Sequence, residues 1–331
     1  MKTKLTVISA LLLFGWAIER TDTLARMENR WKAPEKTTAA RQIKVLAETP
    51  EYRLILHPLG ETKVPLAPRR IASLCSAATD GLVTLGIRPI LVDGGSSIDG
   101  PPPYLLERLN DVPILRRVGT INLEAVLDAK PDLIFVSNTQ DGKLFSQLSK
   151  IAPTVCVGSS AEGHRENRIL DVGDVVGMPK PARQRLAEYR RHLSEAKRIL
   201  SEKSKNQPVA FLRFRRNTCV IYTRTSLFGP LLFEQLGLTP DPAMPMSNTG
   251  GWDVLSVERL SQLQSEHIFM VIDPDSESYL QNVAQTPIWR EIPAVKHNHV
   301  HCVAPKTWIG GDGVLGCEAI IKDVLAAIVP P

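Results

Sequence analysis

The feature that most constrains this chain is one long amphipathic helix, predicted near its middle over residues 179–205. Apolar residues recur there at steps of three and four, which places them on one side of a helix. They are Ala182, Leu186, Tyr189, Leu193, Ala196 and Leu200. Two prolines suit the first turn, and Asn206 and Pro208 end the helix. About 26 residues at 1.5 Å each span roughly 40 Å, so we expect a rigid connection between two parts of the chain.

On both sides of this helix, short apolar segments alternate with helical ones. Before it, the predicted strands are a hairpin over residues 52–66 and single strands at 70–74, 89–92, 132–137 and 154–157. After it, they are residues 209–214, 218–222, 267–272 and 300–303. Such alternation is typical of a mostly parallel sheet. The sequence therefore predicts an α/β protein with two lobes, 51–178 and 206–331, joined by the single long interdomain helix 179–205, with a ligand cleft between the lobes.

The N-terminus predicts export. Two lysines in the first four residues precede an uncharged run from Leu5 to Ile18, which is too short to span a membrane and typical of a secretory signal. We expect residues 1–25 to be a signal peptide, with an uncleaved anchor as the open alternative. Residues 26–50 are predicted to be a flexible leader. The first cysteine is Cys75, so we expect a periplasmic protein without a lipid anchor.

Composition excludes several classes of function. The net charge of +5 is mild for 331 residues and the basic residues are scattered, so no nucleic-acid surface is predicted. No motif assembles a nucleophile, a base and an orienting group, so we do not expect an enzyme. The five cysteines are widely spaced and odd in number. Cys302 with Cys317 is the one pair considered for a disulfide, and the sequence leaves it open.

Several segments carry a family resemblance through their order along the chain. They are PRRIASL and TLGIRPILV in the first lobe, VGTINLEAVLDAKPDLIFVS and SQLSKIAPTV before the long helix, and SLFGPLLFEQLGL, WDVLSVERL and TPIWREIP after it. Together they resemble the periplasmic binding proteins that deliver ferric siderophores, haem or cobalamin to ABC importers. The resemblance covers residues 52–329, and the C-terminal half is most similar to the ferric-hydroxamate (ferrichrome) branch.

The resemblance implies a role in binding and delivery. The protein would be a monomeric periplasmic receptor that captures a ferric siderophore between its lobes and presents it to an ABC permease in the inner membrane. It would need no cofactor, since the siderophore carries the ferric iron. The family docks on its permease through one acidic residue per lobe, which places Glu124 and Glu258 in that role. The residues alone also allow a simpler interpretation, because a carboxylate near a helix start is stabilised by the helix dipole by about 0.3–1 kcal/mol.

The predicted ligand residues supply aromatic walls and polar or cationic groups, which suit a large, oxygen-rich and often anionic ligand. Trp308 matches the position of an aromatic wall in the ferrichrome branch, and Trp252 lies in a Gly-Gly-Trp loop. Strand alternation places Arg213 and Arg215 on one face. The full set is Trp252, Trp308, Arg213, Arg215, Arg116, Arg117, Tyr104, Asn138 and Gln140.

One departure bears on ligand specificity. Between the VG and NLE elements, the ferrichrome branch carries a longer segment with an arginine that grips hydroxamate. This chain has only Thr120 and Ile121 there. Its other arginines would suit a citrate-based or other carboxylate siderophore.

The segment KHNHVHCV offers an alternative function. Alternation would place His297, His299 and His301 on one strand face, and two such histidines can ligate zinc. A direct metal-ion binding protein, or a haem or cobalamin receptor of the same fold, is therefore the alternative. The simpler interpretation is a turn at 296–298, followed by a strand that buries Val300 and Cys302 and exposes His299 and His301. No further ligand is spaced nearby, so no metal site is predicted.

Overall fold

The structure is a computed structural model that describes residues 43–94, 100–115, 121–137, 142–158, 164–204, 206–245 and 251–329. The strands in chain order are β1 (Lys44–Glu48), β2 (Tyr52–His57), β3 (Gly60–Pro65), β4 (Ile71–Ser73), β5 (Leu91–Asp93), β6 (Ile114–Leu115), β7 (Leu133–Ser137), β8 (Thr154–Val157), β9 (Pro208–Arg215), β10 (Thr218–Tyr222), β11 (Thr239–Pro240), β12 (Trp252–Leu255), β13 (His267–Ile272) and β14 (Val300–Cys302).

The helices alternate with these strands in both lobes. They are α1 (Ser76–Thr84), α2 (Pro103–Leu106), α3 (Leu123–Asp128), α4 (Gly142–Leu148), α5 (Arg168–Val175), α6 (Pro179–Lys203), α7 (Val257–Leu260), α8 (Glu277–Ala284), α9 (Pro287–Glu291), α10 (Pro293–Lys296), α11 (Pro305–Trp308) and α12 (Gly313–Ile328). A π-helical segment, Pro230–Gln235, lies between β10 and β11. The α/β class is confirmed.

The N-terminal lobe is built on a five-stranded parallel sheet in the order β6-β5-β4-β7-β8. Its central strands are buried on both faces because helices cover them, which explains their continuous apolar sequences. The C-terminal lobe has a mixed sheet, β12-β10-β9-β13-β14, with β11 paired to β9. In it β9, β13 and β14 run parallel, while β10 is antiparallel to both of its neighbours.

The predicted hairpin is present, but it belongs to a larger unit. β1 pairs with β2, so β1, β2 and β3 form an antiparallel sheet. The hydroxyl of Thr62 then donates to the carbonyl of Thr154 at the start of β8, 2.8 Å away. Since β1 lies within the expected leader 26–50, that expectation is wrong for residues 43–50. Backbone pairing and the buried side chain of Ile43 hold the segment, although the side chains of β1 itself are exposed.

The long helix is present as α6, two residues shorter than predicted. Its predicted apolar stripe is buried except for Leu193, which is half-buried. Asn206 adopts a left-handed backbone conformation just beyond the helix end, with a φ of 61°. The stripe packs into the core of the C-terminal lobe. The helix is therefore part of that lobe's core as well as a link between lobes.

A buried polar network joins the lobes where α12 begins. Asp312 is 2% exposed, and its carboxylate pairs with Arg168 at the start of α5 and accepts from the backbone N–H of Gly313 at 3.0 Å. The neighbouring Arg165 donates to the carbonyl of Gly311 at 2.7 Å. The desolvation of a buried charge costs several kcal/mol, and the Asp312–Arg168 pair contains two such charges. The surrounding hydrogen bonds are needed to offset that cost.

The second contact across the lobes comes from Asp80 in α1. Its carboxyl oxygens accept from the backbone N–H groups of Leu315 and Gly316, at 3.2 and 3.0 Å, in the first turn of α12. Gly313 has a φ of 70°, and a side chain there would collide with Asp80. Burial raises the pKa of Asp80 to about 8, against the effect of these two donors. Asp80 thus satisfies the free N–H groups of a helix in the other lobe.

The stripe on α6 generates a stability prediction. Leu186→Ala should lower the free energy of unfolding by about 2–5 kcal/mol, because it leaves a cavity against the C-terminal core. Leu193→Ala on the same helix removes the same atoms from a half-buried position, so we expect a clearly smaller loss. Urea unfolding followed by circular dichroism measures both. Equal losses would mean that Leu186 is no more deeply buried than Leu193.

The Asp80 contact generates a pH prediction. The folded-state pKa of about 8 lies above the ordinary value of 3.8, so between these values the folded protein binds one proton more than the unfolded chain. The contribution of Asp80 to the free energy of unfolding therefore falls as the pH rises from about 4 to about 8, by at most about 1.4 kcal/mol per pH unit. We expect Asp80→Asn to remove this slope.

Urea unfolding at pH 5, 6.5 and 8 provides the measurement. Asp128→Asn, which changes an exposed carboxylate of the same lobe, should keep the wild-type slope. A slope that Asp80→Asn leaves unchanged would show that Asp80 is already ionised across this range.

Candidate functional site

The loops that follow the carboxyl ends of strands in both lobes meet at the junction. Tyr104, which comes after β5, donates its hydroxyl hydrogen to the carbonyl of Asp312, which comes after β14, and accepts from the N–H of Asp312. Gly100 of the N-terminal lobe lies against the side chain of Lys306. A Cβ added to Gly100 would be 3.4 Å from the Lys306 Nζ atom. Ligands of α/β proteins bind beyond the carboxyl ends of the strands. This junction is therefore the candidate ligand region.

Tyr104 itself serves the junction. Both hydrogen bonds of its hydroxyl are made with the backbone of Asp312, at 3.3 and 3.1 Å. Burial raises the pKa of Tyr104 well above its usual range, so the hydroxyl stays neutral. The other lobe therefore already uses this hydroxyl, and contact of the half-buried Tyr104 ring with a ligand stays a prediction.

Arg213 is also engaged within the protein. Its guanidinium forms two hydrogen bonds of 2.8 Å with the carboxylate of Asp273, which directly follows β13. The Arg213 side chain is buried, and the pair is bidentate. We predicted a cation available to the ligand, and the structure contradicts this. The reason is that β13 lies beside β9 and supplies a carboxylate on the same face.

Arg215 and Trp252 form an exposed pair on the C-terminal lobe. The Arg215 guanidinium lies over the Trp252 ring at 5.9 Å from its centroid, within cation–π range. Trp252 is 42% exposed and is the first residue of β12, an edge strand, rather than part of a loop as predicted. Among the residues that the structure describes, no carboxylate lies within ion-pair distance of Arg215. An exposed indole beside a guanidinium can hold a flat, anionic, oxygen-rich ligand.

Trp308 does not line a cleft, so the prediction for this residue is wrong. It is fully buried in α11 and stacks on Phe269 at 4.9 Å between ring centroids. Its indole N–H donates to the carboxylate of Asp323 at 2.9 Å. The indole satisfies its polar atom inside the C-terminal core, as a buried tryptophan requires.

Four predicted ligand residues lie outside the described residues. Arg116 and Arg117 directly follow β6, and Asn138 and Gln140 follow β7. The strands before them end at the carboxyl edge of the N-terminal sheet, where the sequence placed these side chains. Their contact with a ligand stays a prediction.

Lys306 is a candidate that the sequence analysis missed. It lies in α11, beyond the carboxyl end of β14, and its ammonium group faces Gly100 of the other lobe. Within the described ranges it has no carboxylate within ion-pair distance. The signal in the sequence was a cation two residues before Trp308, in the segment APKTWIGG that follows a predicted strand.

A shallow pocket of about 290 Å³ beside α6 contains none of the predicted ligand residues. Its lining residues are His164, Glu166, Asn167, Arg190, Leu193 and Gln235. Pockets for drug-sized ligands have volumes of about 300–1,000 Å³. This pocket is therefore at the lower end of that range.

Glu124 and Glu258 occupy equivalent positions in the two lobes. Each is exposed and is the second residue of a short helix that follows the carboxyl end of a strand. Asn122 caps the first helix by accepting from Ala125, and Ser256 caps the second by accepting from Arg259. The Ser256 hydroxyl also lowers the pKa of Glu258, so this carboxylate stays charged.

The histidines of KHNHVHCV lie at the edge of the C-terminal sheet. His299 and His301 are half-buried, and Cys302 is exposed, the reverse of the predicted burial for Cys302. Among the described strands, β14 is the last of the C-terminal sheet, at its edge. His299 stacks on His267, and burial, with His299 and His301 nearby, lowers the pKa of His267 to about 4. Cys302 and the buried Cys317 are both free.

Similarity to known proteins agrees with this geometry. "Probable siderophore-binding lipoprotein YfiY" of Bacillus subtilis is 25% identical over 82% of this chain and 86% of its own length. "Fe(3+)-citrate-binding protein YfmC" of the same organism is 24% identical over 85% and 88%. The crystal structure of Staphylococcus aureus SirA complexed with staphyloferrin B superposes with a TM-score of 0.70, at 25% identity, and covers 83% of this chain and 97% of that one.

The helices add one further observation. In the part of the chain that the structure describes, no helix combines the length and apolar content needed to cross a bilayer. A family model described as "Periplasmic binding protein" matches residues 71–306, a range that runs through both lobes and the linking helix. The predicted family resemblance is thereby confirmed, and the chain belongs to the periplasmic binding protein family.

Proposed function

We propose that this protein binds a ferric siderophore between its two lobes and delivers it to an ABC permease. The observation that carries this proposal is similarity over more than four fifths of the chain to proteins whose names state siderophore or ferric-citrate binding. The siderophore brings the iron, so the protein needs no cofactor of its own and performs no catalysis. It acts as a monomer in the periplasm.

The route to the periplasm is part of the proposal. Residues 1–25 direct export of the receptor to the periplasm. The relative YfiY is named a lipoprotein.

The exposed groups at the site favour a carboxylate siderophore. Arg215 and Lys306 lack carboxylate partners in the described ranges, and Trp252 offers a flat apolar wall. A guanidinium binds a carboxylate through two parallel hydrogen bonds, and an ammonium adds a point charge. Arg116, Arg117, Asn138 and Gln140 would supply the N-terminal side of the site. The missing hydroxamate-binding arginine supports the same choice.

Delivery depends on the two exposed glutamates. Glu124 and Glu258 lie on different lobes at matching helix positions and have no ion-pair partner among the described residues. Two unpaired carboxylates at a fixed separation would pair with two cations of a permease and fix the orientation of docking. α6 and the junction network keep that separation constant.

The ligand proposal predicts a specific loss of affinity. Trp252→Ala and Arg215→Ala should each weaken binding of ferric citrate at least tenfold, about 1.4 kcal/mol, because each removes one member of the cation–π pair. Quenching of tryptophan fluorescence, or calorimetry for the tryptophan variant, measures the affinity. Val254→Ala, on the same exposed face of β12, should bind as the wild type does.

A ligand panel distinguishes the candidate substrates. Ferric citrate, a ferric hydroxamate, haem, cobalamin and free Zn²⁺ are titrated against the wild-type protein. Binding of the hydroxamate alone would overturn the carboxylate assignment and leave siderophore binding intact. Binding of haem, cobalamin or zinc in place of any ferric siderophore would overturn the proposed function.

The docking proposal predicts loss of transport without loss of binding. Glu124→Arg with Glu258→Arg should abolish siderophore-dependent iron uptake, because charge reversal repels the permease cations, while ligand affinity in vitro stays at the wild-type value. Glu107→Arg with Glu277→Arg is the matched control, since both are exposed glutamates in first helical turns, one per lobe. Equal uptake by the two double variants would refute docking through Glu124 and Glu258.

A further inference from the structure

We propose that Glu266, His297 and His299 form a binding site for a divalent transition-metal ion of the zinc class, separate from the siderophore site. The three residues offer one carboxylate oxygen and two imidazole nitrogens, and these ligand atoms all lie within 4.8 Å of one another. Imidazole and carboxylate are ligands that zinc accepts, with water able to complete a tetrahedron.

The separations are close to those that a bound ion requires. With bonds of about 2.0–2.1 Å, the ligand atoms of a tetrahedral zinc site lie about 3.3 Å apart. The Nδ1 atom of His297 is already 2.9 Å from the Glu266 carboxylate. The His297 side chain is 55% exposed, so it can rotate onto an ion without disturbing the core.

The second imidazole is oriented by a backbone hydrogen bond. Nδ1 of His299 lies 3.1 Å from the carbonyl oxygen of Glu266. A carbonyl oxygen can only accept, so Nδ1 carries the hydrogen and Nε2 keeps its lone pair for a metal. An N–H···O=C bond from the second ring nitrogen is the arrangement that fixes metal-binding histidines in many proteins.

Two further histidines hold His299 in place. The His267 ring stacks on His299 at 4.5 Å between centroids and 6° between planes. Nδ1 of His267 in turn forms a hydrogen bond with Nε2 of His301, 3.1 Å away. This packing keeps His299 on the side of Glu266 and makes the site more ordered than an exposed surface pair.

The site lies at the opposite edge of the C-terminal sheet from the proposed ligand region. His267 is the first residue of β13 and His299 directly precedes β14, so the cluster is at the amino ends of two parallel strands. Arg215 is the last residue of β9, at its carboxyl end, and Lys306 lies beyond the carboxyl end of β14. Metal binding here is therefore expected to leave siderophore binding unchanged.

Calorimetric titration of the metal-free, full-length protein with ZnCl₂ tests the site, and the visible absorption of bound Co²⁺ reports imidazole coordination. We expect one ion per chain. His297→Ala and His299→Ala should each weaken zinc binding at least tenfold. His192→Ala, which changes an exposed histidine on α6, should bind zinc as the wild type does.

Three results would overturn the proposal. One is a wild-type protein that binds no zinc; another is a His297→Ala variant that binds it with unchanged affinity. The third is an equal loss in His192→Ala, which would indicate binding to scattered surface histidines. His297→Ala alters an exposed side chain, so it is expected to fold even if His299→Ala does not. Ferric-citrate affinity, measured on the same variants, should not change and separates this site from the proposed function.

Discussion

The arrangement of the lobes depends on one buried carboxylate, Asp312. It caps α12, pairs with Arg168 at the start of α5, and its backbone bonds to Tyr104. Hydrogen bonds from both lobes therefore meet at Asp312. Removal of one member of a buried ion pair is strongly destabilising, by about 3–5 kcal/mol. This gives the junction its specificity, because a sliding of one lobe against the other would break several charged hydrogen bonds together.

A junction of this kind suits a receptor that recognises its ligand with a preformed surface. Hinge closure requires a segment that can change its backbone angles at low cost. Here α6 is continuous over 25 residues and packs along one lobe, while Asp80 and Asp312 tie the other lobe to α12. The proposed ligand groups and the two exposed glutamates are thus held at nearly constant separations. A permease could then detect a bound ligand by contacts within the site rather than by a large change in receptor shape.

The fold was predictable from the sequence because periodicity reports which elements form. The α6 stripe, the hairpin and the alternation of strands with helices all appear where apolar spacing placed them. The site was less predictable, since spacing does not say which partner a side chain meets. Arg213 and Trp308 looked available, yet Asp273 and Asp323 engage them, and these lie 60 and 15 residues further along the chain. The exposure of Cys302 followed from its edge strand, a property of sheet order rather than of local sequence.

The position of Asp80 has a consequence for how the protein is made. The N–H groups that its carboxyl accepts lie 235 and 236 residues further along the chain. During synthesis, the first lobe therefore emerges long before its helix partner exists. In that interval Asp80 faces water or an incomplete core, and only closure of this very long loop can bury it. Local strand–helix units can form early, but the binding-competent arrangement of the lobes is among the last features to form.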